Sequence, residues 1–418
     1  MSEATDTQFT MVRDKQIIVG ITGGIAAYKA AELVRTLAKK GAHVHVVMTK
    51  HAMEFVTPLT FQTLSGNPVT HEMFELLAGS KIGHIALSDL ADQMVIAPAT
   101  ANIIGKVANG IADDFLSTMI MATKVPVLFV PAMNTKMWES QIVQGNIDKL
   151  RANGYEFIEP ESGDLACGWE GKGRMPPVED IVERMEDIFT VKDLVGERIM
   201  VTAGPTQEFI DPVRCITNRS SGKMGYALAK IARRRGAEVI LITGRTDQPR
   251  PAGVRVIDIV TATEMRNAVM EHQERCTVII KAAAVADFRC KALNCHKIKK
   301  RPGEEEISLE LDRNPDILGE LGKIKEDRIL VGFAAETENL VQNAYAKLKK
   351  KNLDLIVAND VTKQGIGFGS DQNEVTIIGA RGRAKHVPKL SKEEVAHIIL
   401  DVVKRVIKKK RKYKDDWY

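Results

Sequence analysis

Short apolar runs alternate with amphipathic helical patterns through the whole first half of the chain. The apolar runs are QIIVGIT, HVHVVMT, DQMVIAPAT, VPVLFVPAM and YEFIEP, and helical patterns such as AAYKAAELVRTLAKKG and VEDIVERMEDIF lie among them. Strands that are buried on both faces are continuously apolar, and parallel strands need a crossover, usually a helix, between them. The alternation therefore predicts an α/β fold with a doubly wound parallel sheet that carries helices on both faces.

The same alternation restarts near residue 190. The segment TVKDLVGE precedes a new strand pattern, RIMVTAG, and then the pattern MGYALAKIARRRGAEVILITG, a helix followed by a strand. A length of 418 residues is enough for two or three domains with their own cores. We therefore predict two tandem Rossmann-like units, residues 1–190 and 191–418.

Composition and charge narrow the class of protein. No window approaches the roughly 20 apolar residues of a membrane span, and the start MSEATDTQFTMVRDKQ lacks the apolar core of a signal peptide. The 5 cysteines, an odd number without a paired framework, are typical of a reducing compartment. The net charge of +5 is most concentrated in the tail VVKRVIKKKRKYKDDWY, which we interpret as a solvated helix end. We expect a cytoplasmic protein without nucleic-acid or membrane partners.

The segment GITGGIAAYK, residues 20–29, follows the first strand pattern and enters a helix. Gly23 and Gly24 let the backbone approach a phosphate at the positive helix N-terminus, and the Thr22 hydroxyl adds a donor. The segment is not GxGxxG, and a threonine, Thr49, rather than an acidic residue follows the second strand pattern. These features favour a mononucleotide such as FMN over NAD.

Two further side chains of the first half, Asn134 and Cys167, are candidates for chemistry. Asn134, in VPAMNTKMWES, lies just beyond the carboxyl end of an apolar run, where open α/β sheets bind ligands. It is equally an N-cap for the following helix, and from this segment alone the cap is the simpler interpretation. His84, by contrast, is by its own segment best interpreted as a satisfied histidine at a helix start. The glycines around Cys167, in DLACGWEGKGRM, favour a flexible flap over a buried thiol in a packed strand.

The second half carries signs of an anion site. The long polar loop within VTAGPTQEFIDPVRCITNRSSGKMG lies between a strand and a helix, so its backbone can gather donors around anionic groups. A basic cluster around Lys297 follows KAAAVADF, and by charge alone it is typical of a solvated loop. Lys347 and Lys351 are one helical turn apart, so both ammonium groups can reach one phosphate chain.

Four segments of the first half together resemble the flavin-dependent cysteine decarboxylases: GITGGIAAYK, GHIALSDLADQMVIAPATANIIGKVANGIADD, PAMNTKMW and DLACGWEGKGRM. The resemblance implies a flavodoxin-like unit that binds FMN. It also implies that His84 is the active-site histidine, that Asn134 binds the cysteinyl carboxylate of the substrate, and that Cys167 donates a proton late in the reaction. The implied flavin contacts are Gly23, Gly24, Thr49, Thr100, Ala101 and Asn102.

The whole chain resembles the bifunctional family of phosphopantothenoylcysteine decarboxylases and phosphopantothenate–cysteine ligases of coenzyme A biosynthesis, through NPDILGEL, GFAAET and AYAKLKKKNLDLIVAND in the second half. The resemblance implies a Rossmann-like ligase domain in which Asn218 helps convert an acyl-cytidylate, with Mg²⁺ at the CTP phosphates. Lys281 departs from the small or apolar residue expected at its position. The implied nucleotide contacts are Lys281, Ala282, Ala283, Asp287, Lys297, Pro315, Asp316, Ile317, Leu318, Phe333, Lys347 and Lys351.

The resemblance implies two consecutive reactions. The second unit ligates L-cysteine to phosphopantothenate with CTP, and the first unit decarboxylates the phosphopantothenoylcysteine to phosphopantetheine with FMN. It also implies homo-oligomers, with trimers of the flavin unit, dimers of the ligase unit and a dodecamer that combines them.

Three other functions stay open at this point. They are an NAD(P)-dependent Rossmann oxidoreductase, a flavin-binding regulatory subunit without activity, and a flavoprotein in which one half is active. The missing GxGxxG counts against the first. The presence of His84, Asn134 and Cys167 counts against the second.

Overall fold

The computed structural model of the protein describes residues 11–72, 83–164, 168, 170–299, 308–336, 338–360 and 369–415. The chain divides into two compact units, Met1–Thr190 and Val191–Tyr418. Within the described ranges, none of the helices combines the length and the apolar composition needed to cross a membrane.

Strands and helices of the first unit alternate along the chain as the apolar pattern predicts. The strands are β1 (Gln16–Ile21), β2 (His43–Met48), β3 (Val69–Thr70), β4 (Gln93–Ala99), β5 (Val127–Pro131), β6 (Glu156–Phe157), β7 (Glu161–Asp164) and β8 (Glu170–Arg174). The helices are α1 (Ala27–Lys39), α2 (Pro58–Ser65), α3 (Gly83–Leu90), α4 (Ala101–Ala108), α5 (Phe115–Ala122), α6 (Thr135–Trp138), α7 (Gln141–Ala152) and α8 (Val178–Phe189).

The main sheet of the first unit has the order β3-β2-β1-β4-β5-β6, and its strand pairs are parallel. Without the short β3, this is the strand order of flavodoxin-like sheets. The predicted doubly wound parallel sheet is therefore confirmed. The connections diverge on the two sides of β1, which creates a switch point between β1 and β4.

Helices cover both faces of this sheet. On one face, Leu33 of α1 and Ile181 of α8 are fully buried in one apolar cluster. On the other face, Ile103 of α4, Leu116 of α5 and Ile147 of α7 are buried in a second cluster. Every residue of β4 is buried, which is why this strand is a continuous apolar run in the sequence.

The hairpin of β7 and β8 packs directly on the segment that follows β5. Met133 N donates to Gly173 O at 3.0 Å. A Cβ on Gly173 would lie 2.1 Å from Met133 O, and a Cβ on Gly171 would lie 2.5 Å from Thr135 Oγ1. Gly173 thus allows a close approach of two backbones, and Gly171 allows a close approach of the hairpin to the Thr135 side chain. The flap that the sequence predicts around Cys167 stays a prediction.

The second unit begins a new alternation. Its strands are β9 (Arg198–Ala203), β10 (Gln207–Phe209), β11 (Cys215–Thr217), β12 (Glu238–Thr243), β13 (Arg255–Asp258), β14 (Val278–Lys281), β15 (Phe288–Cys290), β16 (Leu311–Arg313), β17 (Ile329–Glu336), β18 (Leu355–Asp360), β19 (Gln372–Gly379) and β20 (Ala384–Ser391). Its helices are α9 (Lys223–Arg234), α10 (Ala262–His272), α11 (Ile317–Lys323), α12 (Leu340–Lys350) and α13 (Lys392–Asp415).

The large sheet of the second unit has the order β13-β12-β9-β14-β17-β18-β19-β20. Its part from β13 to β18 is parallel and has the Rossmann strand order, while β19 and β20 are antiparallel additions. Leu228 of α9 and Ile399 of α13 are buried on one face. Met265 of α10, Leu321 of α11 and Leu348 of α12 are buried on the other. This confirms the predicted Rossmann-like architecture.

The basic end of α13 differs from the solvated helix end that the sequence predicts. Lys404 pairs with Asp193 at 2.5 Å, Lys410 with Asp354 at 3.0 Å, and Arg411 with Glu197 at 2.6 Å. These carboxylates belong to turns before β9 and β18, so the basic side chains of the helix bind the amino edge of the sheet. The charge run alone does not indicate such partners, because they lie far away in the sequence.

Candidate active sites

The first unit has a cavity of about 1000 Å³ at the carboxyl edge of its sheet. Its walls are the turns that follow β1, β2, β4 and β5, together with the end of β8. Open α/β sheets bind their ligands at this edge. The lining includes these residues that the sequence predicts for the flavin or the substrate: Gly23, Gly24, Thr49, Thr100, Ala101, Asn102 and Asn134.

Two threonines join the turns on either side of the switch point. The buried Thr22 hydroxyl donates to Pro98 O at 2.7 Å, and Thr100 N donates to Thr22 Oγ1 at 3.1 Å. Thr100 is also the N-cap of α4, since its Oγ1 accepts from Ile103 N at 3.5 Å. The Thr22 hydroxyl therefore holds the turns together, and its predicted role as a phosphate donor stays a prediction.

The turn between β1 and α1 is tightly packed against the turn after β2. A Cβ on Gly23 would lie 2.4 Å from His51 Cβ, so this position admits glycine alone without a shift of the turn. The N-cap of α1 is Ala26, which makes no side-chain cap hydrogen bond. An uncapped helix start at the bottom of a cavity offers backbone N–H groups and a positive helix end to an anion.

Asn134 lies at the cavity wall and is also a helix cap. Its Oδ1 accepts a hydrogen bond from Lys136 N at 2.9 Å, which makes it the N-cap of α6. The helix N-cap role, which the sequence offers as the simpler interpretation of Asn134, is therefore present in the structure. It does not compete with a binding role, because the cap engages Oδ1 while the residue lines the cavity.

Cationic side chains of this cavity were missed by sequence reasoning, although they lie in the quoted motifs. Lys29 donates to Met175 O at 3.3 Å, and its pKa is lowered by burial and then by the charge of Arg174. Lys106 contacts Asp113 at 2.7 Å and Asp114 at 3.0 Å. Burial alone lowers the pKa of Lys106, but these two carboxylates outweigh it, and the net shift is upward.

Two predicted catalytic residues lie outside what the structure describes. His84 belongs to α3, but its side chain is outside the described part. Cys167 lies wholly outside the described residues. Both roles stay predictions.

The second unit has a cavity of about 810 Å³ at the carboxyl edge of its own sheet. It lies over the ends of β14, β17 and β18 and the start of α9. The predicted ligase residues that line it are Asn218, Lys281, Ala282, Ala283, Asp287, Pro315, Asp316, Ile317, Leu318, Phe333, Lys347 and Lys351.

Asn218 is held against the segment that follows β14. Its Nδ2 donates to Ala284 O at 3.2 Å. Ala284 N in turn donates to Gly204 O at 2.9 Å, and Ala283 N donates to Thr202 Oγ1 at 3.2 Å. These bonds join the loops after β9 and β14, so that Asn218 and the alanine segment form one wall.

Each of the two predicted phosphate-binding lysines on α12 and its C-terminus already has a carboxylate partner. Lys347 contacts Glu336 at 2.6 Å, and Lys351 contacts Asp316 at 2.9 Å. Asp316 is also the N-cap of α11, where it accepts from Gly319 N at 3.0 Å. A polyanionic ligand must therefore share these two lysines with the carboxylates or displace the carboxylates from them.

Lys281 is the last residue of β14 and faces the same cluster. Burial first, and the charge of Lys351 next, lower the pKa of Lys281 to about 8, although Asp316 and Asp287 raise it. The structure thus places an easily deprotonated amine where the sequence analysis expects a small or apolar residue.

Lys297 is the one predicted nucleotide contact among the described residues that does not line the cavity. It is exposed, and the neighbouring Ile298 is held elsewhere. Ile298 N donates to Asp211 Oδ2 at 3.1 Å, and Arg214 Nη2 donates to Ile298 O at 2.8 Å. The predicted phosphate contact of Lys297 stays a prediction.

The sequence analysis also missed part of this cavity. Its polar lining includes residues from the end of β16, from β18 and β19, from the turn before α9, and from the first residues of α9 and α13. The loop motif NRSSGKMG could have indicated Ser220, Ser221 and Lys223. The quoted segments NPDILGEL and AYAKLKKKNLDLIVAND contain Asn314 and Asn359. Nothing in the sequence pattern marks the remaining ones. The full set of missed residues is Ser220, Ser221, Lys223, Arg313, Asn314, Asn359, Asn373 and Lys392.

Comparison with known families gives two matches. The Flavoprotein family matches residues 6–190, and the DNA/pantothenate metabolism flavoprotein C-terminal domain matches residues 194–407. The two matches coincide with the two units, and the first identifies a flavoprotein half.

Individual relatives are similar over nearly the full chain. Coenzyme A biosynthesis bifunctional protein CoaBC of Bacillus subtilis (strain 168) is 48% identical over 397 residues, which cover 94% of this chain and 97% of that protein. Its counterpart from Vibrio cholerae serotype O1 is 44% identical over 390 residues, which cover 93% of this chain and 98% of that protein. The crystal structure of the C-terminal domain of a CoaBC protein matches with 42% identity and a TM-score of 0.45, covering 52% of this chain and 99% of that domain.

Proposed function

We propose that this chain, which belongs to the family of coenzyme A biosynthesis bifunctional proteins, catalyses two consecutive steps of that pathway. The second unit is the phosphopantothenate–cysteine ligase, and the first unit is the phosphopantothenoylcysteine decarboxylase. One observation carries the assignment to this molecule. Each unit has its own cavity at the carboxyl edge of its sheet, and the predicted residues whose side chains are described divide between these cavities, with Lys297 outside both.

FMN is the flavin that we assign to the first unit. The tight turn at Gly23, the uncapped start of α1 and the cations around the cavity suit a flavin with a single phosphate. When bound, the flavin supplies the two-electron oxidation without which the cysteinyl carboxylate cannot leave as carbon dioxide.

The residues of the chain position the substrate of the decarboxylation. Asn134 Oδ1 is turned toward Lys136 N, so the amide N–H groups are the donors for the cysteinyl carboxylate. The base of the β7–β8 hairpin packs beside Asn134, at Met133 and Thr135. We propose that this hairpin carries Cys167 to the substrate, where the Sγ proton is delivered to carbon after carbon dioxide has left.

The second unit must bring several anions together. The carboxylate of phosphopantothenate attacks the α-phosphorus of CTP and expels pyrophosphate, and the amine of cysteine then displaces CMP from the acyl-cytidylate. Lys281, Lys347 and Lys351 reduce the repulsion between these groups, and Asn218 contacts the acyl-cytidylate. We assign Mg²⁺ to the CTP phosphates, since this ion usually binds through substrate phosphates and one or two carboxylates, and the carboxylate of Asp287 lines the cavity.

The experiment that tests both halves uses the purified full chain with phosphopantothenate, cysteine, CTP and Mg²⁺. The expected products are CMP, pyrophosphate, carbon dioxide and phosphopantetheine, and the protein is expected to be yellow. Accumulation of phosphopantothenoylcysteine would limit the function to the ligase, whereas decarboxylation of added phosphopantothenoylcysteine without CTP cleavage would limit it to the decarboxylase. A colourless chain that uses NAD(P) would contradict the proposal.

The assembly stays a proposal on the family resemblance. We propose a homo-oligomer in which flavin units form trimers and ligase units form dimers. Size-exclusion chromatography with light scattering measures its mass, and a monomer at enzyme-assay concentrations would contradict it.

A further inference from the structure

The ligase cavity contains a second group of cations that the proposed nucleotide contacts do not use. Lys347 and Lys351 come from α12 and its C-terminus, and α12 packs on one face of the sheet. Lys223 and Lys392 come from α9 and α13, which pack on the opposite face. The cavity therefore receives lysines from both helical layers. The reaction has two substrates that carry phosphate groups.

Lys223 and Lys392 occupy the same unusual position in their helices. Each is the first residue of its helix, at the end where the helix dipole is positive. The N-cap of α9 is Gly222, which has no side chain to accept the first N–H groups. Cations at helix starts are electrostatically unfavourable, and an anion bound beside both lysines would offset this cost.

Nearby protein groups compensate this charge in part. Lys223 Nζ contacts Asp371 Oδ1 at 2.5 Å and donates to Gly369 O at 3.0 Å. Lys392 Nζ donates to Ser370 O, and Lys392 N donates to Asp371 O at 3.0 Å. The Asp371 side chain is 83% exposed, so one solvated carboxylate faces two ammonium groups.

The acidic residues next to Lys392 on α13 are engaged elsewhere. Glu393 pairs with Lys230 at 3.0 Å, and Glu394 accepts from Ser391 N at 2.7 Å in a capping arrangement. Burial, followed by the charge of Lys223, lowers the pKa of Lys392 to about 8, while Asp371 raises it. A bound anion would favour the charged form of this amine.

We propose that Lys223 and Lys392, together with the Ser220–Gly222 turn, bind a phosphate group of one ligase substrate. The inference rests on the proposed ligase function and adds α13 to its binding site. The phosphate belongs either to phosphopantothenate or to the triphosphate of CTP, and both present the same chemistry to a pair of lysines and a helix start. Lys392 is thereby a specificity-determining residue far from the quoted motifs.

The test compares Lys392→Met and Lys223→Met with the unchanged chain in isothermal titration calorimetry. CTP alone, phosphopantothenate alone and pantothenate without phosphate are titrated separately. Loss of a charged hydrogen bond to phosphate predicts a dissociation constant raised about tenfold to a hundredfold for one phosphate-bearing ligand. If phosphopantothenate is that ligand, its advantage over pantothenate shrinks by the same factor. If CTP is that ligand, the pantothenate comparison stays unchanged.

Two further variants separate binding from structure. Lys392→Arg keeps the charge and is expected to restore the affinity to within about threefold. Lys385→Met removes an exposed lysine of β20 that does not line the cavity, and no affinity is expected to change. The proposal is overturned if both Met variants bind CTP and phosphopantothenate as the unchanged chain does, or if pantothenate weakens equally with phosphopantothenate. If the unchanged chain forms no phosphopantothenoylcysteine, the proposed function itself fails.

Discussion

The two cavities occupy the same place in related sheets, but the connections that build them differ. In the first unit, the short turn from Thr22 to Ala26 leads directly from β1 into α1. In the second unit, the loop from Gly204 to Gly222 separates β9 from α9 and contains the β10–β11 hairpin. The same strand order therefore supports either a narrow site or a broad polar site, according to the length of the loop between the first strand of the unit and its helix.

The comparison extends to the charges. In the first unit, glycine packing and backbone groups shape the phosphate end of the cavity, as Gly23 shows. In the second unit, lysine–carboxylate pairs such as Lys351 and Asp316 line the site. A resident cofactor suits the first arrangement, because the site is shaped before binding. Substrates that enter and leave suit the second, because the counter-ions offset part of the positive charge of the empty site.

The largest effect is expected from Gly23→Ala. The added Cβ would lie 2.4 Å from His51 Cβ, so the β1–α1 turn must move away from its position. We expect loss of bound flavin and a fall in decarboxylation of about a hundredfold, because a displacement of about an ångström costs that much in rate. Ligation is expected to continue. Flavin absorbance and the two product assays measure the effect.

The matched control for this change is Gly145→Ala. Gly145 lies in α7 with nothing within 4 Å of an added Cβ, and flavin content should stay unchanged. If the Gly23→Ala protein bound as much flavin as the unchanged chain, the comparison of the two cavities would be contradicted, because the first cavity would then not depend on its short turn.

Asn218→Asp is expected to affect the second cavity alone. A carboxylate cannot donate to Ala284 O, where Asn218 Nδ2 now donates at 3.2 Å, and it adds a negative charge beside the anionic intermediate. We expect accumulation of the acyl-cytidylate and ligation slower by about a hundredfold, the typical cost of losing one aligned donor. Quenched reactions separated by chromatography measure both quantities.

Asn267→Asp, on the exposed surface of α10, is the control that makes the same chemical change outside the cavity. Decarboxylation of added phosphopantothenoylcysteine should be equal in both variants. A normal ligation rate in the Asn218→Asp protein would remove this residue from the site.

The architecture of both sheets could be predicted from the sequence because their central strands are buried on both faces. Such strands are continuous apolar runs, as in β4 and β14. The added strand β20 has the sequence AKHVPKLS and is largely exposed, so no apolar run marks it. The predicted flavin-site residues whose side chains are described line one cavity, because they follow strands whose carboxyl ends meet at one edge.

Long-range polar contacts could not be predicted. Lys404 and Asp193 are separated by 211 residues, and neither pattern nor charge indicates that they meet. Lys392 likewise reaches the ligase cavity only because α13 packs beside α9. Lys297 shows the converse, since its basic cluster suits a phosphate, but Asp211 and Arg214 hold the adjacent backbone outside the cavity lining.

Lys281→Met tests whether a charged lysine of the second cavity makes the affinity for CTP depend on pH. The pKa of Lys281 is about 8, and anionic CTP favours the ammonium form, so this pKa must rise in the complex. The CTP affinity of the unchanged chain is therefore highest below pH 8 and falls as the pH rises above it. Lys351, Asp316 and Asp287 face the same amine and are retained in the variant.

In the Lys281→Met protein, we expect CTP affinity about tenfold lower at neutral pH, since one charged contact is lost. The decline above pH 8 should be shallower, because the titrating amine is gone. Titration calorimetry on both sides of pH 8 measures this, with Lys323→Met on the exposed surface of α11 as the control. An unchanged pH profile would show that Lys281 does not contact the nucleotide.

The smallest effect is expected from Asp193→Asn, which tests whether the basic helix end stabilises the second unit alone. Hydrogen bonds from Arg235 at 2.8 Å and Lys404 at 2.5 Å outweigh burial and lower the pKa of Asp193 to about 2. Because the folded-state pKa lies below the ordinary value of 3.8, this stabilisation is present above that value and is lost as the pH falls toward 2.

At neutral pH, the Asp193→Asn change should lower the free energy of unfolding of the second unit by about 1 to 2 kcal/mol, after allowance for solvent screening. Asp258→Asn breaks an equally short pair with Arg250, but both side chains are more than half exposed, and a loss below about 0.5 kcal/mol is expected. Denaturant unfolding followed by circular dichroism and by flavin fluorescence separates the two units. Equal losses in both variants, or a shift in the flavin transition, would mean that the helix end does not stabilise the ligase unit through Asp193.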